Sequence, residues 1–165
     1  MVFVYHAFSF SLFKYLIPVF LITISYAFQG KLNLRFRVKD ILFGITVSAV
    51  ILLPFWYFMS LPNNVFVILP VSTMLFQLFG VSFAEEVYFR GFLQNRLGNN
   101  FTGLIIVSIL FSVMHVPQII FYGDIYSVMT FFPSLVMGFL YMRTSNVLPS
   151  TIFHFFANIV YSGFY

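Results

Sequence analysis

The chain contains no cysteine, which excludes disulfides and thiolate metal sites and leaves the redox compartment unspecified. Charge is almost as scarce: 7% of its 165 residues are Asp, Glu, Lys or Arg, and only four of those are acids. It has no internal repeat, no low-complexity tract and no flexible linker. The N-terminal "MVFVYHAFSFSLFK" lacks a basic n-region and a small-residue cleavage site, so it reads as a retained transmembrane segment, not a signal peptide. The basic residues form no solvated stripe with interleaved aromatics, so the net charge of +4 does not point to nucleic acid.

What is abundant is apolar surface. Hydrophobic residues make up 61% and aromatics 22% of the chain, and the mean hydropathy is +1.00. A soluble domain of this length could not bury so much, because small domains leave much of their surface exposed. The bilayer is the fitting solvent, and a helix needs about 20 apolar residues to cross it. Polar interruptions predict six apolar segments: Val2 to Phe28, Ile41 to Leu61, Val65 through Glu85 and Glu86, Phe101 to Tyr122, Ile125 to Met142, and Val147 to the C-terminus. The expected fold is therefore all-α and polytopic, with about six transmembrane helices.

Lysine and arginine fall in alternate gaps. Lys31, Arg35, Arg37 and Lys39 occupy the first, Arg90 and Arg96 surround the third, and Arg143 lies in the fifth. By the positive-inside rule these gaps face the cytoplasm and both termini lie outside. Lys14 is the exception, accommodated if it snorkels to the interface. Trp56, Tyr57 and the terminal tyrosines suit interfacial belts.

Topology and packing leave a short list unexplained: Glu85, Glu86, Arg90, His115, His154 and Asn158. An ionisable group at the centre of a span costs roughly 2.5–3.5 kcal/mol on insertion scales, so each marks a functional hypothesis. Glu86 and Arg90, four apart on a helix, can pair, and that pair has a purely structural explanation as local neutralisation. Glu85 points about 100° away and cannot share the arginine equally well. If it faces the bundle interior it is suited to proton transfer.

His115, two residues before Pro117, sits where a proline should disturb the fourth helix. Taken alone it is equally well an interhelical hydrogen-bonding residue, and Phe111 one turn earlier forms a packing wall beside it. His154 and Asn158 share one face of the last helix. An imidazole and a carboxamide there can donate to one small target, the geometry wanted for a developing oxyanion. His6 has no such company and reads as structural.

Together these groups suit hydrolysis by an activated water: a glutamate and a histidine take its proton, while the second histidine and the asparagine hold the tetrahedral intermediate. Rival signatures are absent. There is no GxSG, "FYGD" falls short of GxGD, and HExxH is missing.

"EEVYFR", "FSVMH" and "HFFAN" resemble the EExxxR, FxxxH and HxxxN motifs of the CPBP family. These are the CAAX proteases and bacteriocin-processing, abortive-infection-type membrane enzymes, related to the type II CAAX prenyl endopeptidases. The motifs fall in order on Glu85, Glu86 and Arg90, on Phe111 and His115, and on His154 and Asn158. The resemblance covers about Val71 to Val160. It divides the chain into a two-helix N-terminal membrane segment (1–63) and a catalytic membrane domain (64–165).

The resemblance implies a polar intramembrane cavity opening towards the cytoplasm. It also implies an intramembrane glutamic endopeptidase in a cell membrane, if the source is prokaryotic. Glu85 and His115 would activate the water, His154 and Asn158 would stabilise the oxyanion, and Glu86 and Arg90 would orient the site. The substrate would be a peptide or protein tail, prenylated if the activity is of the CAAX type. No cofactor is favoured. Zinc is the alternative, with Glu85, His115 and His154 as ligands in a metalloprotease, and a non-enzymatic membrane scaffold using the same polar cluster for binding is the third reading.

Depth poses a problem. At 1.5 Å per residue His115 lies about 21 Å from Phe101, but His154 only about 10 Å from Val147. Upright helices of equal extent would not bring them level.

Overall fold

The apolar runs fold as helices because lipid-depth backbone must satisfy its hydrogen bonds within its own segment. The computed structural model describes residues 13–62 and 64–164, and every regular element among them is helical. The expectation about His6, and that about the Lys14 side chain, lie outside the described residues.

α1 spans Phe13–Gln29 and α2 Val38–Ser60. Residues 64–70 form no regular element, so the third apolar segment becomes helical only at Val71 and not near Val65. α3 then runs unbroken through residues 71–97. α4 is Phe101–Val113, α5 Val116–Tyr122, α6 Phe131–Thr144 and α7 Val147–Gly163, with a 3-10 turn at Ile125–Thr130 leading into α6. Among the described residues three stretches are long and apolar enough to cross a membrane: Val38–Ser60, Phe101–Phe121 and Ile125–Thr144. Helices of this length and apolarity are those of an integral membrane protein.

Asparagines start two of the helices. The Asn100 side chain accepts the Gly103 N–H at the head of α4, and Asn146 does the same for Leu148 at the head of α7, each satisfying a donor the helix cannot. The fourth segment breaks where Pro117 predicts. α4 stops at Val113, and His115 precedes α5, whose first turn holds the proline.

α3 is not a plain α-helix. Phe76–Phe83 and Val87–Gln94 are wound as π-helix, on either side of a short α-turn at Ala84–Glu86. Bonding from i to i+5 takes up roughly one more residue per turn than α, and such widenings gather at functional sites.

The core lies where α3, α4, α6 and α7 meet, around Phe89, Val107, Phe111, Met137, Leu140 and Phe153. The first loop is stitched into this assembly. Gln29 Nε2 and Asn33 Nδ2 both donate to the Gly91 carbonyl, at 2.6 and 3.0 Å, and Asn146 Nδ2 donates to the buried Asp40 carboxylate at 3.0 Å.

α2 and α7 touch at Gly44, where a Cβ would stand 2.8 Å from Pro149 Cα. Small residues let membrane helices approach this closely. Gly44→Val should therefore push the two helices apart and lower stability by about 1–3 kcal/mol, the usual cost of overpacking. Thermal unfolding in detergent reads this directly, and an unchanged midpoint would mean the contact contributes nothing.

The depth problem is solved by stagger. A Cβ on Gly91 would lie 3.3 Å from Val147 Cγ1, so α7 begins level with Gly91 instead of with the end of α3. The last six residues of α3 extend about 9 Å past that level. α4 starts down there too, its Gly103 packed against the Gly98 and Gln94 carbonyls. The offset of about 9 Å accounts for most of the difference in depth between the two histidines.

Candidate active site

Glu85 and Glu86 sit on the short α-turn between the two π-wound stretches of α3, 5% and 0% exposed. Glu86 Oε2 accepts from Arg90 Nε at 3.2 Å, and both side chains are fully buried. The local pairing expected for these residues is present, but it is half of what Glu86 does. Its other oxygen, Oε1, lies 3.0 Å from His154 Nδ1. Glu86 thus links the arginine of α3 to the histidine of α7.

His154 is held between the two carboxylates. Nδ1 faces Glu86, and Nε2 lies 3.7 Å from Glu85 Oε2. The first contact is a hydrogen bond; the second is too long to be one. A carboxylate paired with a guanidinium accepts, so Nδ1 is the donor. Nε2 and the Glu85 oxygen then border a gap in which one small oxygen, seated off the line between them, can reach both.

His115 joins the group through Phe111. The Phe111 ring centroid is 4.9 Å from that of His115 and 5.7 Å from that of His154, so both imidazoles line one phenylalanine. Helix termination orients His115. Its own N–H bonds the Ser112 carbonyl, which leaves the Phe111 carbonyl free to take His115 Nδ1 at 2.8 Å. A carbonyl only accepts, so this nitrogen carries the proton and Nε2 presents a lone pair.

Arg90 is fixed on its far side as well. Nη2 donates to Ser134 Oγ of α6 at 2.7 Å, and the guanidinium carbon lies 5.5 Å from the Phe111 ring centroid.

Of the residues expected in the site, the structure brings together Glu85, Glu86, Arg90, Phe111, His115 and His154. Asn158 lies one turn beyond His154 on α7, half-buried, and donates to Gln77 Oε1 at 3.2 Å. Gln77 and Ser134 are among the residues at the site's edge that escaped the sequence reading. The one signal for each was a polar side chain in an apolar run, too common in helices to single out.

Both Glu86 oxygens are engaged, and among the described residues no three His, Asp or Glu side chains converge as metal ligands.

A family model described as Rce1-like, type II CAAX prenyl endopeptidase, matches residues 67–160. The match begins after α2 and takes in the whole cluster. No curated protein and no solved structure matches the chain.

Proposed function

Since the chain belongs to the Rce1-like family of type II CAAX prenyl endopeptidases, we propose that it is an intramembrane glutamic endopeptidase whose general base is Glu85. The observation that carries this reading is His154 lying between Glu85 and Glu86, which joins the first and last sequence motifs in one buried cluster.

In the proposed mechanism a water seats beside Glu85 Oε2 and the His115 Nε2 lone pair. Glu85 takes its proton as the oxygen attacks the scissile carbonyl, and His115 Nε2 orients the nucleophile by accepting the second hydrogen. The carbonyl oxygen becomes an oxyanion and accepts from the Asn158 carboxamide and from Nε2–H of His154, which serves in this step as the doubly protonated imidazolium with Nδ1–H on Glu86. The proton then passes to the leaving amine. Glu86 holds the His154 ring by Nδ1, and Arg90 holds Glu86.

Residues 64–165 would carry this chemistry, with 1–63 bracing it through the clasp on Gly91. The proposed topology is six crossings with both termini outside and the cavity opening towards the cytoplasm, in a cell membrane if the source is prokaryotic. The substrate is a peptide or protein tail, prenylated if the activity is of the CAAX type.

Purified protein in liposomes should cleave an internally quenched peptide carrying a prenylated C-terminal tail, and failure to cleave it with or without the prenyl group would overturn the reading. The same assay tests metal dependence. The rate should be unchanged after dialysis against a strong zinc chelator, and loss of activity restored by zinc would replace the metal-free mechanism.

A further inference from the structure

Ser82 Oγ on α3 lacks a hydrogen-bond partner among the described residues, and so, beside the site, do three further buried polar atoms: Arg90 Nη1, Gln94 Oε1 and Ser108 Oγ. All three residues are 0% exposed. An orphaned polar atom at such burial costs about 1–3 kcal/mol, more when charged, and three in one layer call for a common partner.

Helix packing puts them in the same place. On α3, Arg90 and Gln94 are one turn apart and reach the same two turns of α6: Arg90 Nη2 bonds Ser134 Oγ, and Gln94 Nε2 bonds the Gly138 carbonyl at 2.9 Å. α4 closes the third side. A Cβ on Gly138 would lie 2.8 Å from Leu104 Cγ and 3.2 Å from Gln94 Oε1, so Leu104 is level with Gln94. Phe111 lies against the guanidinium. Ser108, between Leu104 and Phe111 on the buried face of α4, therefore falls between Gln94 and Arg90. The side chains at 108 and 134 are both small hydroxyls.

We propose that a buried water is bound between α3, α4 and α6 by Arg90 Nη1, Gln94 Oε1 and Ser108 Oγ, and that Ser108 and Ser134 thereby act as positioning residues for Glu86. The water accepts from the guanidinium and from the serine hydroxyl and donates to the Gln94 carbonyl oxygen. Three such bonds are the usual complement of an internal water. With Nε on Glu86, Nη2 on Ser134 and Nη1 on the water, the guanidinium has one orientation left. Glu86 is fixed by it, and so is the His154 ring.

The proposal rests on the hydrolase reading for its kinetic consequence, though not for the water itself. In liposomes, Ser108→Ala and Ser134→Ala should each lower kcat on the order of 10-fold, the loss of one hydrogen bond to a charged group. KM should stay put, the thermal midpoint should fall by no more than one lost buried hydrogen bond requires, and Ser134→Thr, which keeps the hydroxyl, should restore kcat. Unchanged kcat in both alanine variants, or a fall in kcat that Ser134→Thr does not restore, overturns the positioning role. An experimental map that resolves ordered solvent tests the site independently. Density within hydrogen-bonding distance of Arg90 Nη1 and Ser108 Oγ supports it, and a dry contact there overturns it. Should no peptide be cleaved by the unaltered protein, the hydrolase reading fails and the map alone decides the water.

Discussion

Glu85→Gln protein is expected to bind a model peptide about as tightly as the unaltered protein and to cleave it on the order of 10²–10⁴ times more slowly, the contribution of a positioned general base. The substitution replaces one carboxylate oxygen by an amide of the same shape, in a side chain 5% exposed, so packing is left alone. What it removes is the ability to accept a proton from water. Glu85 also has no short hydrogen bond to His154, the two standing 3.7 Å apart, so the Glu86–His154 link should survive. The effect should fall on kcat, with KM nearly constant, because the base acts in the transition state and not in substrate binding. A kcat within a few-fold of the unaltered protein would remove Glu85 from the mechanism.

The second large effect is on stability. Arg90 and Glu86 are both fully buried and paired at 3.2 Å. Removing one partner of a buried ion pair leaves an uncompensated charge, typically at a cost of about 3–5 kcal/mol, whereas replacing both with neutral groups is often close to neutral. Arg90→Met should therefore sharply lower the thermal midpoint in detergent, and Arg90→Met with Glu86→Gln should recover much of the loss. Both should be inactive, since Arg90→Met no longer fixes Glu86 and the double variant has no carboxylate to hold the His154 ring. A double variant no more stable than Arg90→Met would mean that the guanidinium matters for packing on Phe111 and Ser134, not for the charge it balances.

The two expectations separate roles that adjacent residues share. Glu85 faces the gap at His154 Nε2 and should affect rate; Glu86 is tied at both oxygens and should affect structure first. Adjacent positions on a helix point about 100° apart, and both reach α7 because His154 offers each of them a different nitrogen.

The sequence made much of this site legible. Side chains four apart on a helix share a face whatever the surrounding fold, so Glu86 with Arg90, Phe111 with His115, and His154 with Asn158 were readable as pairs. Their chemical types, costly in lipid, marked them out. The proline after His115 located the helix break.

Other features depended on winding and stagger. At α-helical pitch Gln77 would lie about 80° from Glu85 and opposite Glu86. The π-wound turns at Phe76–Phe83 rotate it onto the face that meets Asn158. Apolar patterning carries no strong mark of one extra residue per turn. Ser134 likewise becomes significant only once α6 is known to pass beside Arg90.

The sequence by itself determined the solvent, the helical class, the three motifs and the residues on which a hydrolase site would draw, because hydropathy and four-residue spacing are local properties. The tertiary structure alone decided that Glu86 bridges Arg90 and His154, that α7 starts level with Gly91, and that Arg90, Gln94 and Ser108 are all fully buried. Those facts depend on how helices distant in sequence slide and rotate against one another, and that is set by contacts such as Gly44 on Pro149 and the Gly91 clasp, which no single segment specifies.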